Sequence, residues 1–107
     1  MTNVTFIRDG DTYMLSVAGH AGYKKSEQDA DIVCAAASCL TETLETTLYT
    51  LEEKKMCTVS INESGDGSRH YMVNSADNCT EVMQTFDTIM NGFRLLESTF
   101  PKNVKIF

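Results

Sequence analysis

No C-x-x-C pair occurs in this chain, and only two histidines accompany its four cysteines, so a zinc site is not expected. The opening run from Met1 to Asp9 has neither a basic start nor a long apolar stretch. That argues against a secretory signal and a membrane span, and for reduced thiols in a cytoplasmic compartment. Basic residues are scarce: nine Lys and Arg stand against fifteen Asp and Glu, for a formal charge of −6. Phosphate binding needs clustered Lys and Arg, so a direct nucleic-acid partner is not expected. An acidic surface would suit a basic protein partner, but on charge alone solubility is the better reason for it. Proline appears once, and nothing is low in complexity or linker-like. The 107 residues therefore read as one domain, 1–107.

What is present has a clear order. Val4 to Arg8 and Thr12 to Ala18 alternate as two strands around a tight turn at Asp9-Gly10. Tyr13, Leu15 and Val17 share one face, and Met14 and Ser16 the other. From Gly19 to Ala30 the periodicity gives way to glycine, serine and charge, a loop long enough to suggest a functional role. Asp31 opens a helix to about Glu53, with Val33, Ala36, Leu40, Leu44, Thr47 and Leu51 as its buried stripe. Cys57, Val59 and Ile61 alternate in a third strand. A turn follows over Glu63 to Gly67, and Arg69 to Val73 forms a fourth strand. Asn78 reads as the cap of a second helix, with Glu81 three residues on. Val82, Phe86, Ile89, Phe93, Leu96 and Phe100 form its stripe, Pro101 ends it, and Val104 and Ile106 suggest a short closing strand. The expected fold is α+β: two helices on a largely antiparallel sheet, in the order strand-strand-helix-strand-strand-helix-strand.

The chemistry concentrates at the first helix. Gly19-His20-Ala21-Gly22-Tyr23 delivers an imidazole shortly before Asp31-Ile32-Val33-Cys34-Ala35-Ala36-Ala37-Ser38. With Asp31 as N-cap, Cys34 falls in the first turn, where free N–H groups and the helix dipole favour thiolate over thiol. A nearby histidine can take the thiol proton and return one to a leaving amine. His20 and Cys34 are therefore the candidate nucleophilic pair. The plainer alternatives are a small apolar Cys34 under the helix and a His20 bonded to loop backbone. Asp31 has two readings as well, helix cap or acceptor for the second imidazole N–H. Ser38, one turn after Cys34, either bonds back to the Cys34 carbonyl or faces the site. Gly19 and Gly22 let backbone amides approach a substrate and, with amides of the helix start, form an oxyanion hole; turn-making alone also accounts for them. His70 and Cys79 form a weaker internal rival pair. Cys39 and Cys57 read as core or near-core residues.

These two motif blocks resemble the ribosomal-processing cysteine protease family, Prp, of Firmicutes and related bacteria, and the likeness extends over nearly the whole chain. The block beginning at Asp31 is its specific part. The resemblance implies a catalytic dyad of His20 and Cys34, with Asp31 and Ser38 in support and no cofactor. It implies endoproteolysis after a phenylalanine in the N-terminal extension of large-subunit ribosomal protein twenty-seven, in the service of ribosome assembly. It further implies a homodimer and a mobile loop that orders around substrate. The chain departs from the family pattern at Asp29, where glycine is common, and at Ala37, where valine is frequent. Two other functions use the same features. One is a thioesterase or amidase acting on small acyl substrates; the other is a non-catalytic acidic module that docks on ribosomal proteins.

Overall fold

The computed structural model describes residues 1–26 and 30–107. Its elements are β1 (Thr2–Asp9), β2 (Thr12–Ala18), α1 (Ile32–Glu53), β3 (Cys57–Glu63), β4 (Arg69–Ser75), α2 (Thr80–Thr99) and β5 (Val104–Ile106). The sheet runs β3-β4-β2-β1-β5. Every pairing is antiparallel except β1 with β5, which is parallel and seals the edge with Thr2 opposite Val104. The expected α+β order is observed.

Alternation places Tyr13, Leu15 and Val17 on the covered face of β2, and Tyr71 and Val73 beside them on β4. Both helices pack on this face. Phe86 of α2 is fully buried and stacks on Tyr13 with ring centres 4.9 Å apart. Burial of one such ring contributes about 1.5–3 kcal/mol. The helices meet where Leu40 lies over Gly92, at which an added Cβ would come within 2.5 Å of the leucine side chain. No described helix is long and apolar enough to cross a membrane.

Two local expectations are corrected. The buried stripe of α1 is Val33, Ala37, Thr41, Leu44, Leu48 and Leu51, so Ala36, Leu40 and Thr47 lie off its centre. Leu40 is drawn sideways onto Gly92, and Thr41 tolerates burial because its hydroxyl donates to the Ser38 carbonyl at 3.0 Å. In α2 the N-cap is Cys79 rather than Asn78. Asn78 instead adopts φ +52, a left-handed turn conformation that asparagine tolerates, which moves the helix start along by one residue. Glu81 then accepts a bond from the Cys79 thiol at 3.3 Å in place of a reciprocal capping box.

Candidate functional site

The start of α1 is built by Asp31. Its backbone is extended (φ −88, ψ 95), and its Oδ1 accepts the Cys34 amide at 2.9 Å, which sets Cys34 at the third helical position. The Asp31 carbonyl accepts the Ala35 amide at 3.0 Å. Oδ2 reaches the other way, accepting the Tyr23 amide at 3.1 Å. Burial works against ionisation of this carboxyl. The amides of Cys34 and Tyr23, with the Cys34 thiol, outweigh it and hold the pKa below the usual carboxylate range. Asp31 thus caps the helix and ties the histidine-bearing loop to it. None of these bonds goes to His20.

The loop from Gly19 to Tyr23 is held at several points. Gly19 has φ +89, and a Cβ there would sit 2.5 Å from the Met1 carbonyl oxygen, so only glycine fits. Its carbonyl accepts the Thr2 hydroxyl at 3.1 Å, and its amide donates to the Ser68 hydroxyl at 3.4 Å. Ala21 is 2% exposed, and its amide donates to Cys34 Sγ at 3.2 Å. The Tyr23 ring meets Phe100 edge-on at 5.3 Å. The expected loop runs to Ala30, but residues 27–29, including the Asp29 departure, lie outside the described residues.

Gly19, His20, Cys34, Ala37 and Ser38 line one cleft of about 310 Å³. His20 is exposed and Cys34 half-buried, and among the described residues no hydrogen bond joins imidazole to thiol. Gly22 is exposed at φ +69 in the same loop, but does not line the cleft. Ser38 is also exposed. On this helix Thr43, Thr47 and Thr50 all bond back to carbonyls four residues earlier. Ser38 makes no such bond to Cys34, and its hydroxyl is left to the cleft.

The opposite wall of the cleft has no counterpart among the sequence expectations. It comes from the turn between β3 and β4, where Asp66 and Gly67 line the cleft beside Glu63 and Arg69. Asp66 Oδ1 accepts the Ser68 amide at 3.0 Å. That bond, the Ser68 hydroxyl and, to a smaller degree, the charge of His20 lower the Asp66 pKa. Arg69 is clamped by Glu45 at 2.6 Å, and the same carboxylate oxygen accepts the Tyr71 hydroxyl at 2.8 Å. A turn rich in glycine and serine gives no sequence signal for such a wall beyond its hairpin position.

The rival pair is not assembled. His70 points from the uncovered sheet face, where Nδ1 pairs with the Ser16 hydroxyl at 2.9 Å. Cys79 lies beyond the far end of β4, about 17 Å of strand away, with its thiol on Glu81. Cys57 is buried as expected, and burial, with Glu52 and Cys79 nearby, pushes its thiol pKa up. Cys39 is exposed, contrary to its reading as a core or near-core residue, because it follows Ser38 onto the outer side of α1.

The family model for the cysteine protease Prp matches residues 1–105. The fold is similar to an essential ribosomal processing protease Prp from S. aureus in complex with a covalently linked product peptide. That likeness has a TM-score of 0.73 at 24% identity, covering 99% of this chain and 97% of the other. SMU.848 from Streptococcus mutans matches with a TM-score of 0.71 at 32% identity, over 99% and 91%. A complex of the S. aureus protease with a substrate peptide gives 0.69 at 23% identity, over 100% and 98%. Among curated proteins, none matches the chain.

Proposed function

The chain belongs to the cysteine protease Prp family, the ribosomal processing cysteine proteases, and we propose that Cys34 is its nucleophile and His20 its general acid and base. The observation that carries this reading is the shared cleft: both side chains line it, and the Ala21 amide is aimed at Cys34 Sγ. His20 takes the Cys34 proton, and the thiolate attacks the scissile carbonyl carbon. Collapse of the tetrahedral intermediate breaks the C–N bond, with His20 returning the proton to the departing amine. Water, deprotonated by His20, then hydrolyses the thioester and restores the thiol. The absence of an imidazole–thiol bond fits a pair that tightens when substrate fills the cleft.

Asp31 supports the pair by fixing both the helix start and the loop, and Ser38, whose hydroxyl bonds to no described residue, lies at the cleft wall. Asp31 already engages the amides of Cys34 and Ala35, Ser68 that of Gly19, and Cys34 Sγ that of Ala21. The loop amide beside the cleft left as an oxyanion donor among the described residues is therefore that of His20. The substrate is the N-terminal extension of large-subunit ribosomal protein twenty-seven, cut after a phenylalanine, in the cytoplasm and by a homodimer. Family membership supports this substrate, and the charge of −6 suits a basic ribosomal protein.

Intact mass measurement of that precursor after incubation with the protein tests the reading. A single product cut after the phenylalanine is expected. Turnover of small thioesters with the precursor left whole would replace it with an acyl hydrolase.

A further inference from the structure

Among the described loop residues, the Ala21 main chain touches the thiol, and its two polar groups are used in opposite directions. Its N–H donates to Cys34 Sγ at 3.2 Å, and its carbonyl accepts Asn103 Nδ2 at 2.9 Å. Asn103 lies 82 residues away in sequence, between the end of α2 and β5. Its main chain is engaged elsewhere: the amide donates to the Phe100 carbonyl at 2.9 Å, and the carbonyl accepts the Thr2 amide at 2.8 Å. The main chain of Asn103 therefore closes the helix and starts the parallel edge of the sheet. Among the described residues, its side chain bonds to the loop alone.

We infer that Asn103 is a positioning residue for the proteolytic reaction, acting through the main chain on either side of the Ala21 Cα to keep one amide on Cys34 and to hold His20 beside it. The Ala21 carbonyl belongs to the Ala21–Gly22 peptide and its N–H to the His20–Ala21 peptide, so the clamp acts across the Ala21 Cα. It pins the buried residue from its C-terminal side and limits how far the N–H can swing from the sulfur. An amide that meets Sγ solvates the negative charge before attack and fixes the angle from which sulfur approaches the carbonyl. Small displacements of a nucleophile cost large factors in rate, because proximity is worth so much of the barrier. The clamp touches neither substrate nor the reacting atoms, so its loss acts on turnover more than on binding. This inference rests on the reading of Cys34 as nucleophile.

The test compares wild type, Asn103→Asp and Asn103→Ala. Asn103→Asp keeps the size and removes the donor, setting an oxygen against the Ala21 carbonyl; Asn103→Ala simply removes the clamp. Each is assayed for kcat and KM on the ribosomal protein precursor, for thermal midpoint, and for the iodoacetamide rate at Cys34, distinguished from exposed Cys39 by fragment-ion mass spectrometry of the peptide that carries both. The expected result is a kcat loss of about tenfold or more in both variants, with KM within about threefold and Cys34 alkylation slowed. Unchanged kcat in a folded Asn103→Asp protein overturns the inference. So does a loss in both variants that merely follows a collapsed thermal midpoint, or one that falls on KM alone. Cys34→Ala is run in parallel to separate the two claims. If it cleaves like wild type, the nucleophile assignment has failed; if it is inactive and Asn103→Asp is not impaired, only the clamp has failed.

Discussion

Asp31 accepts the Cys34 amide at 2.9 Å, so the residue that begins the helix also sets the height of the thiol in its first turn. Removing the cap in Asp31→Ala should cost about 0.5–2 kcal/mol in denaturant unfolding at neutral pH. Asp31→Asn keeps a capping oxygen and should cost less. The two also separate by pH. The folded carboxyl has a pKa below its usual 3.8, so its ionic contribution is complete above that value and is lost as pH falls through the folded pKa. Wild type should therefore lose its advantage over Asp31→Asn below about pH 4, by unfolding measured across the acid range.

Gly19 offers the sharpest steric test. A methyl group there meets the Met1 carbonyl oxygen at 2.5 Å, in a backbone conformation with φ +89. Gly19→Ala should lose roughly 1–3 kcal/mol of stability and, by displacing His20 next to it, most of its proteolytic rate. A variant as stable and active as wild type would show that the loop relaxes without consequence.

Ser38→Ala should leave stability within about 0.5 kcal/mol, because the hydroxyl bonds to no described residue. If the hydroxyl serves the substrate, precursor cleavage should still fall by a few fold. An equal loss in stability and rate would assign Ser38 to the helix instead.

His70 lies near the start of β4 and Cys79 beyond its end, as the cap of α2, with His70 held by Ser16 and Cys79 by Glu81. His70→Ala and Cys79→Ala should both cleave the precursor at rates within about twofold of wild type. Loss of activity in either would reopen the second pair.

The parts legible in the sequence share a physical reason: they depend on near neighbours. Alternation alone places Tyr13, Leu15 and Val17 inward, and a cap three residues before Cys34 follows from helix geometry. Where a residue is chosen by a distant surface, local periodicity misleads. Leu40 turns toward Gly92 of α2 and leaves Thr41 in the buried stripe, a preference that no window within α1 contains. Asn78 looks like a cap in sequence, but its left-handed conformation competes with that tendency and the cap passes to Cys79. The far wall of the cleft, with Asp66 and Gly67, and the Asn103 clamp arise only when the sheet is assembled. The parallel pairing of β5 with β1 brings position 103 to position 21, and nothing in either segment announces the other.

The most direct measurement is the rate of precursor cleavage by Cys34→Ala and His20→Ala beside wild type, with circular dichroism to establish that each variant is folded. Folded variants that both lose cleavage by about a thousandfold or more are the predicted result. Cleavage after the same phenylalanine at the wild-type rate by a folded Cys34→Ala protein would contradict the account.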